Sequence, residues 1–173
     1  LNKEKYEIFN AIDKMNIKII QMKKSICRIE KKVDSGKLFV TGFLCLIEDS
    51  DKNLTLPVLF TCNIILNQLD FGKEIKLKFY DKEKAIKLDK SRIIFSDKKI
   101  DITCIEMKKN EFDIDDYLRI DEDIYKENEI YNLFINKQIY IISFPSGKQS
   151  ITDGKFKSLS DKYIIHSCKT DSG

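Results

Sequence analysis

The spacing of apolar residues changes at about residue 24, and that change constrains the fold more than any other feature of the chain. From Lys5 to about Lys24, Tyr6, Ile8, Phe9, Ile12, Met15, Ile19, Ile20 and Met22 recur at steps of three and four with charges between them. Those steps place them on one side of an amphipathic helix. Beyond Lys24 the step becomes two, or the apolar residues form short solid runs, as in strands whose side chains alternate between faces. The pattern predicts strands at Ser25–Lys31, Leu38–Ile47, Leu56–Thr61, Ile75–Phe79, Ala85–Leu88, Arg92–Phe95, Ile102–Met107, Gln138–Phe144, Gln149–Leu159 and Tyr163–Cys168. Turn-forming residues separate several of them: Asp34-Ser35-Gly36, Asp49 to Asn53, Asp70-Phe71-Gly72-Lys73 and Pro145-Ser146-Gly147. Short strands at this density imply an all-β barrel or sandwich behind an N-terminal helix. Ile114–Asn136 is acidic and aperiodic and reads as a connector, with a short helix expected around Asp123–Tyr131.

Composition excludes several functions. With 173 residues, 42% of them hydrophobic, the chain supports one sizeable core. Its 31 basic and 28 acidic residues are interspersed, so no basic block suited to nucleic acid is present and no nucleic-acid partner is expected. No apolar run is long enough for a membrane-spanning helix, and no membrane partner is expected. Cys27, Cys45, Cys62, Cys104 and Cys168 are far apart and show no C-x-x-C spacing, which argues against a zinc site or a redox pair. No metal or cofactor is expected. Their odd number and the lack of a signal peptide fit a reducing, cytoplasmic compartment.

Four stretches, in this order, resemble the landmarks of the chymotrypsin-like (trypsin-like) serine proteases. Val40-Thr41-Gly42-Phe43-Leu44 is similar to the family's G-[ST]-G-[FA] strand, with Val40 in place of the first glycine. Leu56 to Leu66 resembles the strand ending in T-x-x-H-[VI]-[LI], where the histidine is the general base, and Ile64 occupies the histidine position. Ile100-Asp101-Ile102-Thr103-Cys104 is similar to the strand whose aspartate orients that base, which gives Asp101 the aspartate position. Tyr140 to Gly147, Gly154, and Ile165 to Gly173 resemble the approach to the nucleophile motif G-x-S-G-[SG]-P. Two registers fit its end: Ser172 is the nucleophile of a C-x-G-D-S-G match, or Gly173 opens the motif and the nucleophile lies beyond it.

The resemblance implies two six-stranded Greek-key barrels of the chymotrypsin fold, the first over residues 25–112 and the second, incomplete, over 137–173. Residues 1–24 are then the preceding helix and 113–136 the connector. The family hydrolyses peptide bonds through an acyl-enzyme, with an aspartate orienting a histidine that activates a serine. A hydrocarbon at position 64 neither takes nor gives a proton, so the resemblance implies a protease homologue inactive as written, holding a peptide or protein segment between its barrels. Alternative readings are a fragment of an active endopeptidase, with His166 as the remaining base, and an interaction module presenting its N-terminal helix to a protein partner. Residue type alone also allows plain structural roles: Asp101 as a strand-end carboxylate, His166 as a structural side chain, and Ser172 as a loop serine.

Overall fold

A computed structural model of the chain describes residues 19–33, 36–49, 53–67, 70–92, 94–108, 110–120, 134–160 and 163–170. Most of them lie in antiparallel β-sheet. Residues 19–25 are helical, and the helix ends where the Ser25 Oγ donates to the Gln21 carbonyl at 3.0 Å. The remainder of the expected N-terminal helix, and the helix expected around Asp123–Tyr131, fall outside the described residues.

The first sheet holds β1 (Ile26–Val33), β2 (Gly36–Asp49), β3 (Leu54–Thr61), β4 (Glu74–Lys78), β5 (Glu83–Lys87), β6 (Ile94–Asp97) and β7 (Ile102–Glu106) in the order β5-β4-β1-β2-β3-β7-β6. A short strand, β8 (Leu118–Arg119), runs parallel to Cys45 and Leu46 of β2. It lies inside the stretch that reads as a connector, since two residues are too few to show alternation. The second sheet is a meander of β9 (Gln138–Ser143), β10 (Ser150–Leu159) and β11 (Ile164–His166).

Alternation decides what each face of the first sheet buries. Cys27, Ile29, Leu44, Leu46, Leu59, Leu77 and Ile105 point to one side and form the main core. Gly42 belongs to that side. A Cβ there would come within 2.7 Å of Ile29 Cδ1, so the missing side chain is what lets Ile29 fill the interior. On the other side, Cys45 and Val58 are buried within a smaller cluster that includes Ile120, just past β8.

The sheet has to curl. Its two edge strands, β5 and β6, are consecutive in the chain and joined by residues 88–93. Laid flat, seven strands would set those edges about 29 Å apart, whereas the linker reaches about 25 Å when fully extended. The buried Arg92 bridges the gap: Nε donates to the Lys87 carbonyl at 3.0 Å and an Nη to the Glu106 carbonyl at 3.0 Å. Its two Nη atoms also make a fork with the Glu111 carboxylate at 2.8 and 2.6 Å. Arg92 therefore precedes β6 instead of opening it, contrary to the sequence expectation, and its side chain ties the end of β5 to the end of β7, the strand beside β6. Among the described residues no ladder joins β5 to β6 directly.

The second sheet rests on the first through Ile26, Ile142 and Phe144, with Met22 of the helix against them. Gly154 lets the chain cross closely: a Cβ there would lie 2.4 Å from the backbone nitrogen of Cys168. Past His166 the expected strand leaves the ladder, although the Ser167 N–H still donates to the Lys155 carbonyl at 3.0 Å.

Candidate functional site

The turn after β3 is built from the residues that resemble the general-base motif. The Leu66 N–H donates to the Cys62 carbonyl at 3.3 Å, closing one helical turn over residues 62–66. Asn63 points inward, where its amide donates to the Ser96 hydroxyl at 2.5 Å and the Thr103 hydroxyl at 3.3 Å. Thr103 in turn donates to the Leu66 carbonyl at 2.5 Å. Lys31 reaches the same turn from β1, with Nζ 2.7 Å from the Ile65 carbonyl and 2.8 Å from the Asp70 carboxylate. Asp70 is almost wholly buried and also takes Lys73 at 2.9 Å and the Asn67 N–H at 3.1 Å. Burial alone would raise its pKa, but the hydrogen bonds from Lys31, Lys73 and Asn67 and the nearby charge of Lys31 outweigh that and hold it below the usual carboxylate range.

These contacts fix Ile64 against Asp101. The Asp101 Oδ1 accepts the Ile64 N–H at 2.9 Å, and its carbonyl accepts the Asn63 N–H at 3.2 Å. Asp101 closes the turn between β6 and β7 at φ +52°, a left-handed conformation that aspartate tolerates better than most residues. Its main chain and side chain therefore clamp one turn together. The Ile64 side chain points away from the core and is 76% exposed.

The first and fourth stretches approach the same region. The Thr61 hydroxyl, at the end of β3, donates to the Thr41 carbonyl at 3.2 Å, and the Thr41 hydroxyl accepts the Phe144 N–H at 3.0 Å. Arg28 donates to the Gly147 carbonyl at 2.7 Å while its guanidinium lies 4.8 Å over the Phe39 ring. Hydrogen bonds thus link Thr61, Thr41 and Phe144 in one set and Ile64 with Asp101 in another, and the ladder pairing of Thr61 with Thr103 sets Thr61 near the start of β7, two residues past Asp101.

Other candidates stand apart from it. Ser172 lies outside the described residues. His166 is on β11, where its Nδ1 accepts the Cys168 N–H at 3.2 Å. That contact uses one ring nitrogen locally. Cys62 is half-buried beside the turn, and burial pushes its thiol pKa up, the backbone contact with Ile65 opposing and the Asp101 charge adding to the rise. A thiol in that state is a poor nucleophile. A depression of about 370 Å³ lined by Glu30, Lys31, Asp70, Lys73 and Lys76 includes neither Ile64 nor Asp101. Two of its lining carboxylates are paired, Glu30 with Lys37 and Asp70 with Lys31 and Lys73. Among the described residues no group of three or more His, Cys, Asp or Glu is placed to hold a metal ion, and no helix is long and apolar enough to cross a membrane.

The network of Asn63, Ser96 and Thr103 and the Lys31–Asp70 pair are absent from the sequence reading. Asp70 shows there only as a turn residue, because nothing local marks a carboxylate that will be buried between two lysines. Comparison of the chain with protein-family models and with curated proteins found no match.

Proposed function

We propose that the chain is a trypsin-like serine protease homologue that has lost hydrolytic activity and keeps a surface for a peptide segment. The observation that carries this reading is the 2.9 Å contact between the Asp101 carboxylate and the backbone N–H of Ile64. It joins the two positions that the resemblance pairs as orienting aspartate and general base, which stand 37 residues apart in the chain. The sheet order adds support. Arg92 ties β5 to β7, the neighbour of β6, and on this reading β5 and β6 are halves of one broken strand in a Greek-key barrel.

The chemistry follows from the replaced residue. Serine attack on a peptide carbonyl needs a base that removes the hydroxyl proton and later returns it to the leaving amine. Isoleucine offers no such atom. Asp101, whose family role is to orient the base, is instead occupied with the backbone of the turn. The exposed Ile64 side chain then adds an apolar contact to the peptide-binding surface.

The test is fluorophosphonate labelling of the natural protein that contains this chain, wild type against Ile64→His. Labelling in Ile64→His alone is the expected result. Labelling of the wild type at a serine overturns the loss of activity. No labelling of either form overturns the claim that only the base is missing from an otherwise intact scaffold.

A further inference from the structure

The ladder between β1 and β4 is shorter than either strand. It stops at Glu30 and Lys76, whereas β1 runs on to Val33 and β4 begins at Glu74. Beyond the last pair the strands part, and the gap between them is the depression of about 370 Å³. Alternation puts Lys32, like Glu30, on its outer rim and turns Lys31 inward, on the side of Ile29. At the floor the buried Asp70 carboxylate holds two ammonium groups, Lys31 on one oxygen at 2.8 Å and Lys73 on the other at 2.9 Å. Lys31 keeps one N–H beyond its contacts with Asp70 and the Ile65 carbonyl, and Lys73 keeps two. The main chain fixes Lys73 in place: its N–H donates to the Asp70 carbonyl at 3.1 Å, and its carbonyl accepts the Leu88 N–H at 2.9 Å.

The lining holds four lysines against three carboxylates. Of those carboxylates, Asp70 is shared by two lysines, Glu30 is taken at 2.7 Å by Lys37 from outside the gap, and Glu74 faces Lys87 of β5 in the ladder. Among the described residues Lys32 is in no ion pair, and Lys76 reaches Glu83 only at 3.8 Å. The gap therefore has an excess of positive charge, spare N–H donors and a floor fixed by a buried carboxylate, a combination that suits a small oxyanion.

We propose that this gap binds a phosphate group, free or as a phosphomonoester, on the Nζ atoms of Lys31 and Lys73 at the floor and of Lys32 and Lys76 at the rim. Asp70 is the positioning residue: its two oxygens keep side by side two ammonium groups that would otherwise repel each other. Lysine meets phosphate as a compact point charge, and the several oxygens of the anion accept from more than one lysine at once. The gap contains neither Ile64 nor Asp101, so its occupancy is independent of the protease reading.

The test is a titration of the full chain with inorganic phosphate at pH 7 and constant ionic strength, followed by amide chemical shifts. Saturable shifts centred on Lys31, Lys32, Lys73 and Ile75 are expected. Lys73→Gln should weaken binding about tenfold, the equivalent of one charge-assisted hydrogen bond. The fold survives that change, because the Lys73 side chain is 58% exposed and Asp70 keeps Lys31 and the Asn67 N–H. Glu74→Gln should tighten binding about twofold by removing a repelling carboxylate from the rim. Lys157→Gln, at an exposed lysine of β10, should leave the affinity unchanged. A parallel titration with O-phosphoserine separates the two sources: shifts at the same residues identify an ester as a ligand, and shifts with phosphate alone identify the free anion. Shifts that follow ionic strength only, shifts that do not saturate, or the same affinity in Lys73→Gln as in the wild type overturn the proposal.

Discussion

Removing the Arg92 guanidinium should open the first sheet where its two ends come together. The side chain is 3% exposed and its partner Glu111 is 18% exposed. Arg92→Met would strip one carbonyl bond from the β5 end, one from the β7 end, and both arms of the fork with Glu111. Breaking a buried pair from one side leaves an uncompensated charge, at a cost of about 3–5 kcal/mol. Glu111 keeps the Lys108 N–H at 2.7 Å and some access to water, which favours the lower end, about 3 kcal/mol. With a urea dependence of about 2 kcal/mol/M, the unfolding midpoint should fall by about 1.5 M at neutral pH. Against a total stability of about 5–15 kcal/mol, that loss is easily measured. The double variant Arg92→Met with Glu111→Met should recover much of it, since replacing both members of a buried pair by apolar side chains removes the stranded charge. Urea titrations of the wild type, both single variants and the double variant give the coupling directly. A loss below about 1 kcal/mol in Arg92→Met, or no recovery in the double variant, would refute the bridging role assigned to this arginine.

Two further substitutions test other close contacts. Gly154→Ala should destabilise more than Gly42→Ala, because its Cβ meets the backbone of Cys168 at 2.4 Å whereas that of Gly42 meets the movable end of Ile29 at 2.7 Å; overpacking costs about 1–3 kcal/mol, and equal thermal midpoints for the two variants would contradict the close crossing. Asp70→Asn should lower the urea midpoint at pH 7 and make the acid branch of stability shallower. The folded pKa of Asp70 is depressed, so its contribution is present above the unfolded value of about 3.9 and fades as pH falls through the lower folded value. Wild-type and variant curves that stay parallel below about pH 4 would mean that the lysines do not hold the carboxylate as described.

Strand positions were legible in the sequence because alternation is local. Leu44 and Leu46 share a face whatever pairs with β2. The contact between Ile64 and Asp101 joins two stretches 37 residues apart, which only a resemblance, and no local pattern, set side by side in the sequence. Other features depended on segments far apart in the chain. β4 pairs with β1 across more than forty residues, as Ile29 with Leu77, and no local pattern names that partner. Arg92 read as the first residue of a strand and Asp70 as part of a turn, although both are buried charges whose partners come from other segments. Cys45 and Val58 looked like ordinary strand residues on the face away from the main core. Their burial depended on β8, which is too short to be read, and on Ile120. The sequence by itself determined where the chain alternates and turns, because φ, ψ and side-chain direction follow from near neighbours. The tertiary structure decided which edges meet and which charges are taken out of water, because burial and pairing belong to two or more segments at once and have no value for either one alone.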